Sequence, residues 1–239
     1  MKYLDLSFPD PSRNLACDEA LLELCEEGYL GEILRFWESD QYFVVAGYSN
    51  KISREVNLNS GAGANIQVLR RISGGGTILQ GPGCLNYALI LNHETNRELK
   101  DIVKTTCFIM NQHKIVFEKL LSQKVEVKGT SDLVMNNLKF SGNAQRRKKR
   151  FTLFHGTFLI GMDLKKIEKH LLLPSREPDY RKKRAHKDFL TNLNLPSEKI
   201  KKTLTVLWKA QEKISDFPGE RIQTLCKEKY SKKEWNFKF

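Results

Sequence analysis

Cysteine and long apolar runs are scarce in this 239-residue chain, and each scarcity excludes a class of protein. The five cysteines are odd in number and include no Cys-x-x-Cys pair, which argues against a disulfide framework and against a zinc site. No apolar run approaches the length of a membrane span, and residues 1–5 lack the apolar core of a signal peptide. We therefore expect a soluble protein of the cytoplasm or an organelle matrix, with reduced thiols and no membrane partner.

The two common nucleotide-binding loops are also missing. A P-loop requires Lys-Ser or Lys-Thr after its last glycine, whereas Gly81 is followed by Pro82. Residues 61–66 begin like a dinucleotide fingerprint, but they lack the third glycine and a preceding strand. Any nucleotide would therefore be held by a different device.

What the chain does contain is a run of three glycines, residues 74–76, directly after a stretch that carries Arg70 and Arg71. Adjacent glycines permit positive φ and let a ligand approach the backbone with no Cβ in the way. The N–H groups of such a turn form an anion-binding concavity, to which the two arginines would add fixed charge. A phosphate site is one interpretation, and a plain turn with solvated arginines is the other.

The hydrophobic pattern predicts an α+β fold, with a mixed β-sheet core and surrounding helices in a single domain over residues 1–239. Helices are predicted over 14–27, over 98–121 and from residue 164 onward, with breaks at Pro174, Pro178, Pro196 and Pro218. The helical part from about 197 is expected to belong to the same unit. Strands are predicted at 33–37, 42–47, around 70–71, and at 77–80, 86–91, 125–128, 132–135, 138–141 and 151–162. The turn at 38–41 predicts a hairpin between the first two strands, Asn136-Asn137 predicts another, and 57–65 reads as a loop.

Three polar residues outside the glycine run are candidates for chemistry. Lys139 lies between Leu138 and Phe140 on a predicted strand, so its side chain points to the opposite face, where an ammonium could bridge anions. Asp132 could hold Mg²⁺ on phosphate oxygens, or it could stabilise a turn. His155 could contact a ligand, or it could be packed within the sheet. These residues alone leave both interpretations open for each.

The net charge of +12 is concentrated in the C-terminal part, because residues 146–239 contain 25 Lys and Arg against 11 Asp and Glu. Residues 146–150 and 181–184 are the densest basic runs. Such runs can bind nucleic acid, steer an acidic partner or remain solvated. A basic nucleic-acid-binding module is thus the alternative of another class, but the runs lack the interleaved aromatic residues of single-strand binders, and we expect no nucleic-acid partner.

Taken together, several segments resemble the lipoate–protein ligase A family of the biotin/lipoate protein ligase superfamily. They occur in the family's order and approximate spacing over nearly the whole chain: 14–19, 70–76, 83–86, 129–133, 139–145, 155–157 and 234–236. Several motifs in one order are far more specific than any single motif. The chain is therefore identified as a lipoate–protein ligase-like sequence.

The resemblance implies a biotin/lipoate ligase catalytic domain-like fold and a two-step reaction. ATP, with Mg²⁺, and lipoate form lipoyl-AMP, and a lysine of a lipoyl carrier domain then attacks that mixed anhydride. It implies Lys139 as the catalytic residue, between the lipoyl carbonyl and the α-phosphate, and Asp132 as a candidate Mg²⁺ ligand. The nucleotide and lipoyl group would be bound by Arg71, Gly74, Gly75, Gly76, Thr77, Ile78, Leu79, Asn86, Asp132 and His155. Val45, Leu79 and Tyr87 are expected to form apolar walls for the lipoyl chain.

The same superfamily contains octanoyltransferases, which use a cysteine nucleophile and an acyl carrier donor in place of ATP. In one type the cysteine precedes the lysine motif, where this chain reads 128-KGTSD-132, and in another it follows the histidine motif, where this chain reads 173-LPS-175. The nucleophile is missing from both places, which favours the ligase. Lipoyl or octanoyl transfer from preformed lipoyl-AMP or an acyl carrier donor is the alternative.

Two departures from the family bear on the first step of the reaction. Gln80 stands where the family often has histidine, and the chain stops where a small C-terminal accessory domain would begin. We therefore expect either a separate accessory-domain protein or the use of preformed lipoyl-AMP. The implied partners are the carrier domains of 2-oxoacid dehydrogenase acyltransferase subunits and the glycine cleavage carrier protein, and the run at 181–184 is expected to dock such acidic carriers.

Overall fold

Two β-sheets form the framework of the computed structural model, which describes residues 1–58 and 66–239. Most of the segment 61–66, which begins like a dinucleotide fingerprint, lies outside these described residues. So do residues 59–65 of the loop predicted over 57–65. Within them, eight strands form the larger sheet and three form the smaller. The α+β prediction with a mixed sheet and surrounding helices is confirmed.

The larger sheet contains β1 (Lys2–Asp5), β2 (Ile33–Trp37), β6 (Cys84–Asn92), β7 (Glu126–Lys128), β8 (Asp132–Met135), β9 (Leu138–Arg147), β10 (Phe151–Leu159) and β11 (Glu212–Lys213). Their spatial order is β11-β1-β2-β6-β10-β9-β8-β7. The pairs β11/β1 and β1/β2 are parallel, and the remaining neighbours are antiparallel. The smaller sheet has the order β4-β3-β5, from β3 (Phe43–Ala46), β4 (Gln67–Arg70) and β5 (Ile78–Gln80).

The hairpin predicted across residues 38–41 is wrong. β2 pairs with β1 and β6 in the larger sheet, whereas β3 pairs with β4 and β5 in the smaller one. Both strands are buried along their whole length, so each needs strand partners on both edges, and these lie elsewhere in the chain. Residues 38–41 therefore carry the chain from one sheet to the other. The second predicted hairpin is confirmed, because Asn136 and Asn137 have φ of 51° and 62° between β8 and β9.

The helices are α1 (Pro11–Glu27), α2 (Ile52–Glu55), α3 (Ile102–Leu121), α4 (Leu164–His170), α5 (His186–Phe189), α6 (Ser197–Leu207), α7 (Gly219–Leu225) and α8 (Lys233–Asn236). Short 3-10 turns occupy Arg97–Leu99 and Asp179–Arg181, and one π-helical turn occupies Cys226–Tyr230. The sequence predicts helices from residue 164 onward with breaks at Pro174, Pro178, Pro196 and Pro218, and two features of the structure go beyond that prediction. Residues 171–185 contain only the 3-10 turn, and β11 adds a parallel strand beside β1.

The two faces of the larger sheet pack against different hydrophobic cores. Ile33 and Trp37 of β2 pack with α1, α7 and the smaller sheet, whereas Leu34 and Phe36 of the same strand pack with α3 and α6. The C-terminal elements contribute to both cores, through Ile200 and Leu204 on one side and Ile222 and Tyr230 on the other. None of the helices in the described part of the chain is both long and apolar enough to cross a membrane.

Candidate active site

A cleft of about 1170 Å³ lies where the two sheets approach each other. Its walls include β5, β6 and the strands β8–β10, and its mouth includes residues 49–55 and 174–181. The cleft brings together ten of the eleven predicted site residues: Arg71, Gly75, Gly76, Thr77, Ile78, Leu79, Asn86, Asp132, Lys139 and His155. Gly74 is exposed but does not line it.

The glycine loop (residues 73–77) joins β4 to β5 across the floor of the cleft. Gly75 has φ of 86°, and a Cβ there would lie 2.9 Å from Nη2 of Arg71. At Gly74 and Gly76, in contrast, an added Cβ would have no neighbour within 4 Å. Gly75 is therefore required by the backbone, whereas the other two leave space open to a ligand.

Arg71 is buried beneath this loop and holds it in shape. Its Nε donates to Oγ of Ser73 at 3.0 Å, and its Nη1 donates to the carbonyl of Val45 at 3.3 Å. Its Nη2 donates to the carbonyls of Gly74 and Gly76. Burial lowers the pKa of Arg71 to about 10, so the side chain remains a cation at neutral pH. The positive charge of Arg71 lies below the loop, and four of the five N–H groups of its guanidinium have protein acceptors.

Arg70 does not reach the cleft, which corrects the expectation that both arginines face a phosphate. Its Nη1 donates to three carbonyls in the segment after β3, including those of Gly47 and Asn50, and its Nε donates to the carbonyl of Trp235 at 3.1 Å. Neighbouring residues at the end of a strand point to opposite sides, so only one of the pair can serve the cleft. Arg70 instead ties the smaller sheet to α8.

Lys139 of β9 and Asp132 of β8 form an ion pair in the lining of the cleft. The Lys139 Nζ lies 2.8 Å from Oδ1 of Asp132, and the hydroxyl of Tyr180 donates to Oδ2 at 2.8 Å. Phe140 is fully buried on the other face of β9, which confirms the predicted direction of Lys139. Burial and the neighbouring Asp132 raise the pKa of Tyr180, which therefore keeps its proton. Tyr180 was missed in the sequence, where its irregular segment gives no periodic signal.

His155, on β10, connects the larger sheet to the glycine loop. Its Nε2 lies 2.6 Å from Oγ of Ser73, and its Nδ1 lies 3.4 Å from a carboxylate oxygen of Asp18 on α1. Asp18 in turn forms a buried ion pair with Arg35 of β2. Asp18 was not singled out in the sequence, although it belongs to the matching segment 14–19.

Asn86 is part of a closed hydrogen-bond network rather than a free amide. It exchanges hydrogen bonds with the side chain of Gln80, at 2.7 and 3.0 Å, and accepts one from the hydroxyl of Thr157 at 2.6 Å. Gln80, which departs from the family pattern, thus fastens β5 to β6 and β10.

Apolar side chains line another part of the cleft. Val45, Leu79 and Tyr87, expected as walls for an acyl chain, are buried and line it, together with Leu15 and Trp37. The Tyr87 hydroxyl is engaged by Asn143 at 2.6 Å, so the tyrosine contributes its ring. The cleft therefore combines an apolar wall with a polar floor, which is suited to a ligand that has an acyl chain and an anionic head.

Comparison with known proteins identifies the family. The family model described as the lipoyl protein ligase A/B catalytic domain matches residues 10–206. The chain belongs to this family. Its relatives are named as ligases or octanoyltransferases, so this lipoyl protein ligase A/B family member is an enzyme of the ligase or lipoyltransferase class.

Two relatives represent the two activities found among these names. The chain is 27% identical to lipoate–protein ligase 1 of Staphylococcus aureus, over 99% of its own length and 73% of the relative's. It is 24% identical to the octanoyltransferase LipM of Halalkalibacterium halodurans, over 99% of its own length and 98% of the relative's.

Two solved structures share the fold of this chain. A crystal structure of lipoate-protein ligase A bound with ATP has a TM-score of 0.81 at 22% identity, covering 99% of this chain and 98% of that one. A bi-partite lipoate protein ligase of Thermoplasma acidophilum, described with its E2 lipoyl domain, has a TM-score of 0.78 at 22% identity, covering 99% and 95%.

None of the five cysteines of this lipoyl protein ligase A/B family member lines the cleft, and all five lie within the described residues. Cys84 is fully buried, and burial raises its pKa to about 12. Cys107 is exposed on α3, outside the cleft. Among the described residues, no cluster of three or more His, Cys, Asp and Glu is arranged to hold a metal.

Only half of the basic run at 181–184 offers the exposed surface that docking requires. Arg181 is buried, with its Nε bonded to the carbonyl of Arg184 and its guanidinium 4.6 Å from the Phe189 ring centroid. Arg184 donates to the carbonyl of Tyr180 at 3.0 Å. Only 182–183 are exposed, so the two arginines of the run stabilise the segment that carries Tyr180.

Proposed function

We propose that this protein is a lipoate–protein ligase, which forms lipoyl-AMP from lipoate and ATP and transfers the lipoyl group to a lysine of a carrier domain. The observation that carries the proposal is the composition of the cleft: it contains an ammonium group, Lys139, and no thiol. Adenylation brings a carboxylate against a phosphate, and a cation between them offsets the repulsion of the two anions. Direct transfer to an amine requires no protein nucleophile.

Lys139 acts in this proposal by stabilising negative charge as it develops on the acyl carbonyl and the α-phosphate. Asp132 and Tyr180 hold the side chain before the ligand arrives, through the ion pair and hydrogen bond described above. The ligand anion then competes with Asp132 for the ammonium. The backbone of residues 75–79 faces the nucleotide phosphate, supported from below by the Arg71 cation.

Mg²⁺ fits this site as an ion bound chiefly by substrate. Magnesium sites in phosphate chemistry commonly combine one or two carboxylates with phosphate oxygens and waters. Asp132 is a cleft carboxylate beside Lys139 and supplies that ligand, and the ion would offset phosphate charge. The lack of a three-ligand cluster in the described residues agrees with an ion that needs the nucleotide.

The partners in this proposal are lipoyl carrier domains, of the kind found in 2-oxoacid dehydrogenase acyltransferase subunits and the glycine cleavage carrier protein. Support comes from the Thermoplasma relative described with its E2 lipoyl domain. An acidic carrier would meet the exposed pair 182–183 beside the mouth of the cleft. We propose that residues 1–239 act as one catalytic domain, because the C-terminal elements complete both cores.

The test is mass spectrometry of a purified lipoyl domain after incubation with the protein, lipoate, ATP and Mg²⁺, each omitted in turn. The ligase predicts a lipoyl adduct that requires every component. An adduct that forms from synthetic lipoyl-AMP but not from lipoate and ATP would assign transfer alone, with adenylation dependent on an accessory-domain protein. No adduct under either condition contradicts the proposal.

An octanoyltransferase is the second candidate, because the match to the Halalkalibacterium enzyme extends over nearly the full length of both chains. It predicts transfer from an octanoylated acyl carrier protein without ATP, through an acyl-thioester on a cysteine. The same assay with that donor distinguishes the two activities. A thioester trapped on any of the five cysteines would favour the transferase.

A further inference from the structure

A network of polar side chains beside the cleft connects β2 of the larger sheet to the glycine loop. Its members, in spatial order, are Arg35, Asp18, His155, Ser73 and Arg71. Arg35 and Ser73 are fully buried, and the side chain of His155 is only 12% exposed. We call these five residues the buried polar network.

Asp18 determines how the protons of this network are arranged. Burial alone would raise its pKa, but Arg35 and His155 outweigh that effect and hold the pKa of Asp18 below its ordinary value. Asp18 is therefore a carboxylate, which can only accept hydrogen bonds. The His155 Nδ1, 3.4 Å away, must carry a proton to bond with it, and in neutral imidazole Nε2 is then an acceptor.

Ser73 passes this arrangement on to Arg71. Its hydroxyl lies 2.6 Å from the His155 Nε2, and with the proton of a neutral imidazole on Nδ1 the hydroxyl is the donor of this bond. The lone pairs of the same oxygen accept the Nε–H of Arg71 at 3.0 Å. Arg71 also donates from Nη2 to the carbonyls of Gly74 and Gly76, so it is the donor at both ends of its contacts: toward Ser73, and through it Asp18, on one side and toward the loop on the other.

We propose that Asp18 and His155 are positioning residues that set the shape of the glycine loop through Ser73 and Arg71. Both ring nitrogens of His155 are engaged by protein groups, so in this geometry the histidine acts through the loop and does not bind the ligand with a free nitrogen. The part of this inference that concerns ligand affinity rests on the proposed function. The part that concerns loop shape does not.

The same three groups, Asp18, His155 and Ser73, are the residue types of a carboxylate–histidine–serine nucleophile. Two observations oppose a nucleophilic Ser73. Its side chain is fully buried, and its oxygen already accepts a hydrogen bond from Arg71. An acyl group found on Ser73 would overturn the positioning role.

The first measurement is hydrogen–deuterium exchange of the peptide covering residues 72–80, in the full chain without ligand. The variants are Ser73→Ala, His155→Leu and their combination. Ser39→Ala is the matched control, since Ser39 is also buried and hydrogen-bonded but lies outside the cleft. We expect each single variant to accelerate exchange roughly tenfold, the double variant to add less than twofold, and the control to match the wild type.

His155→Gln supplies a conservative rescue. The glutamine side chain can place an acceptor oxygen near the position of Nε2 and so receive the Ser73 hydroxyl, which leucine cannot do. We expect exchange in His155→Gln to lie within about threefold of the wild type. Unchanged exchange in Ser73→Ala and His155→Leu, or a double variant that multiplies the two effects, would overturn the network.

The second measurement is the affinity for a non-hydrolysable lipoyl-adenylate analogue by calorimetry. We expect roughly tenfold weaker binding in each single variant and little further loss in the double, because both break the same series of bonds. Losses that multiply would mean that His155 and Ser73 contact the ligand independently, and would refute the inference. If the wild type itself binds no analogue, the proposed function fails. The hydrogen–deuterium exchange result would still show whether the buried polar network sets the shape of the glycine loop.

Discussion

Alanine at Gly75 should lower the stability of the protein, whereas alanine at the adjacent Gly76 should lower its affinity for the ligand. At Gly75, alanine must adopt φ of 86° and place its Cβ 2.9 Å from the Arg71 guanidinium. The left-handed backbone costs a non-glycine residue about 1–2 kcal/mol. In a chain of this size that corresponds to a melting temperature lower by about 2–8 °C.

Gly76 has no such constraint, because an added Cβ has nothing within 4 Å and the residue lines the cleft. Alanine there should leave the melting temperature within about 1 °C of the wild type or slightly above it, since alanine restricts the unfolded chain more than glycine does. The methyl group would instead occupy space that the proposed phosphate needs. Affinity for the lipoyl-adenylate analogue should therefore fall at least tenfold.

Thermal melting and calorimetry on the two variants check both halves of this reasoning. Equal melting temperatures for the two proteins would refute the backbone argument at Gly75. Wild-type affinity in Gly76→Ala would show that the ligand does not approach the loop at this point.

Four further outcomes are expected. Lys139→Ala should abolish lipoylation of a carrier domain, measured by mass spectrometry, with little change in melting temperature because the side chain is partly exposed; retained transfer would contradict its catalytic role. Replacing each of the five cysteines with serine should preserve transfer, and one replacement that eliminates it would point to a nucleophile. Serine at both positions of 182–183 should slow carrier modification at low salt without weakening binding of the adenylate analogue; an equal effect at high salt would argue against docking there. Asp18→Asn should lower the free energy of unfolding at pH 7 by roughly 3–5 kcal/mol, because Arg35 would be left buried without its partner. The folded-state pKa of Asp18 is depressed, so this contribution is fully present above the unfolded value of 3.8 and is lost progressively as the pH falls from there through the folded-state pKa; urea unfolding should show the difference between the two proteins shrinking as the pH is lowered below 3.8.

Local signals in the sequence predicted the elements well, and strand pairing less well. α1 ends at Gly28 in the left-handed conformation, as its glycine signal indicates, and Asn136-Asn137 forms a tight turn, because caps and turns depend on neighbouring residues. The pairing of β2 and β3 depends on partners far along the chain, such as β6 and β4, and no short polar turn reveals them. Buried strands also lack the alternation that would show which sheet they join.

In the candidate site, too, some features are evident from the local sequence and others depend on residues far along the chain. The glycine run and Lys139 stand out by residue type and position, and the family resemblance placed them in one site. What the sequence does not reveal is which neighbour of a pair faces the cleft, so Arg70 and Arg71 look equivalent although only the second lines it. Asp18 contacts His155, which lies 137 residues later in the sequence, and Tyr180 contacts Asp132, which lies 48 residues earlier. Such contacts appear only in three dimensions.

The attachment of Arg70 to α8 has a consequence for the order in which the enzyme is made. The backbone N–H and the Nε of Arg70 find their acceptors in Asn236 and Trp235, 166 and 165 residues later. A ribosome delivers the chain from its amino end, so the smaller sheet lacks this support until those residues have emerged. The glycine loop follows Arg70 directly, and its final shape should therefore be among the last features that a newly made molecule acquires. A nascent chain held on the ribosome before residue 235 would carry every group that lines the cleft but would lack the two hydrogen bonds that join Arg70 to α8.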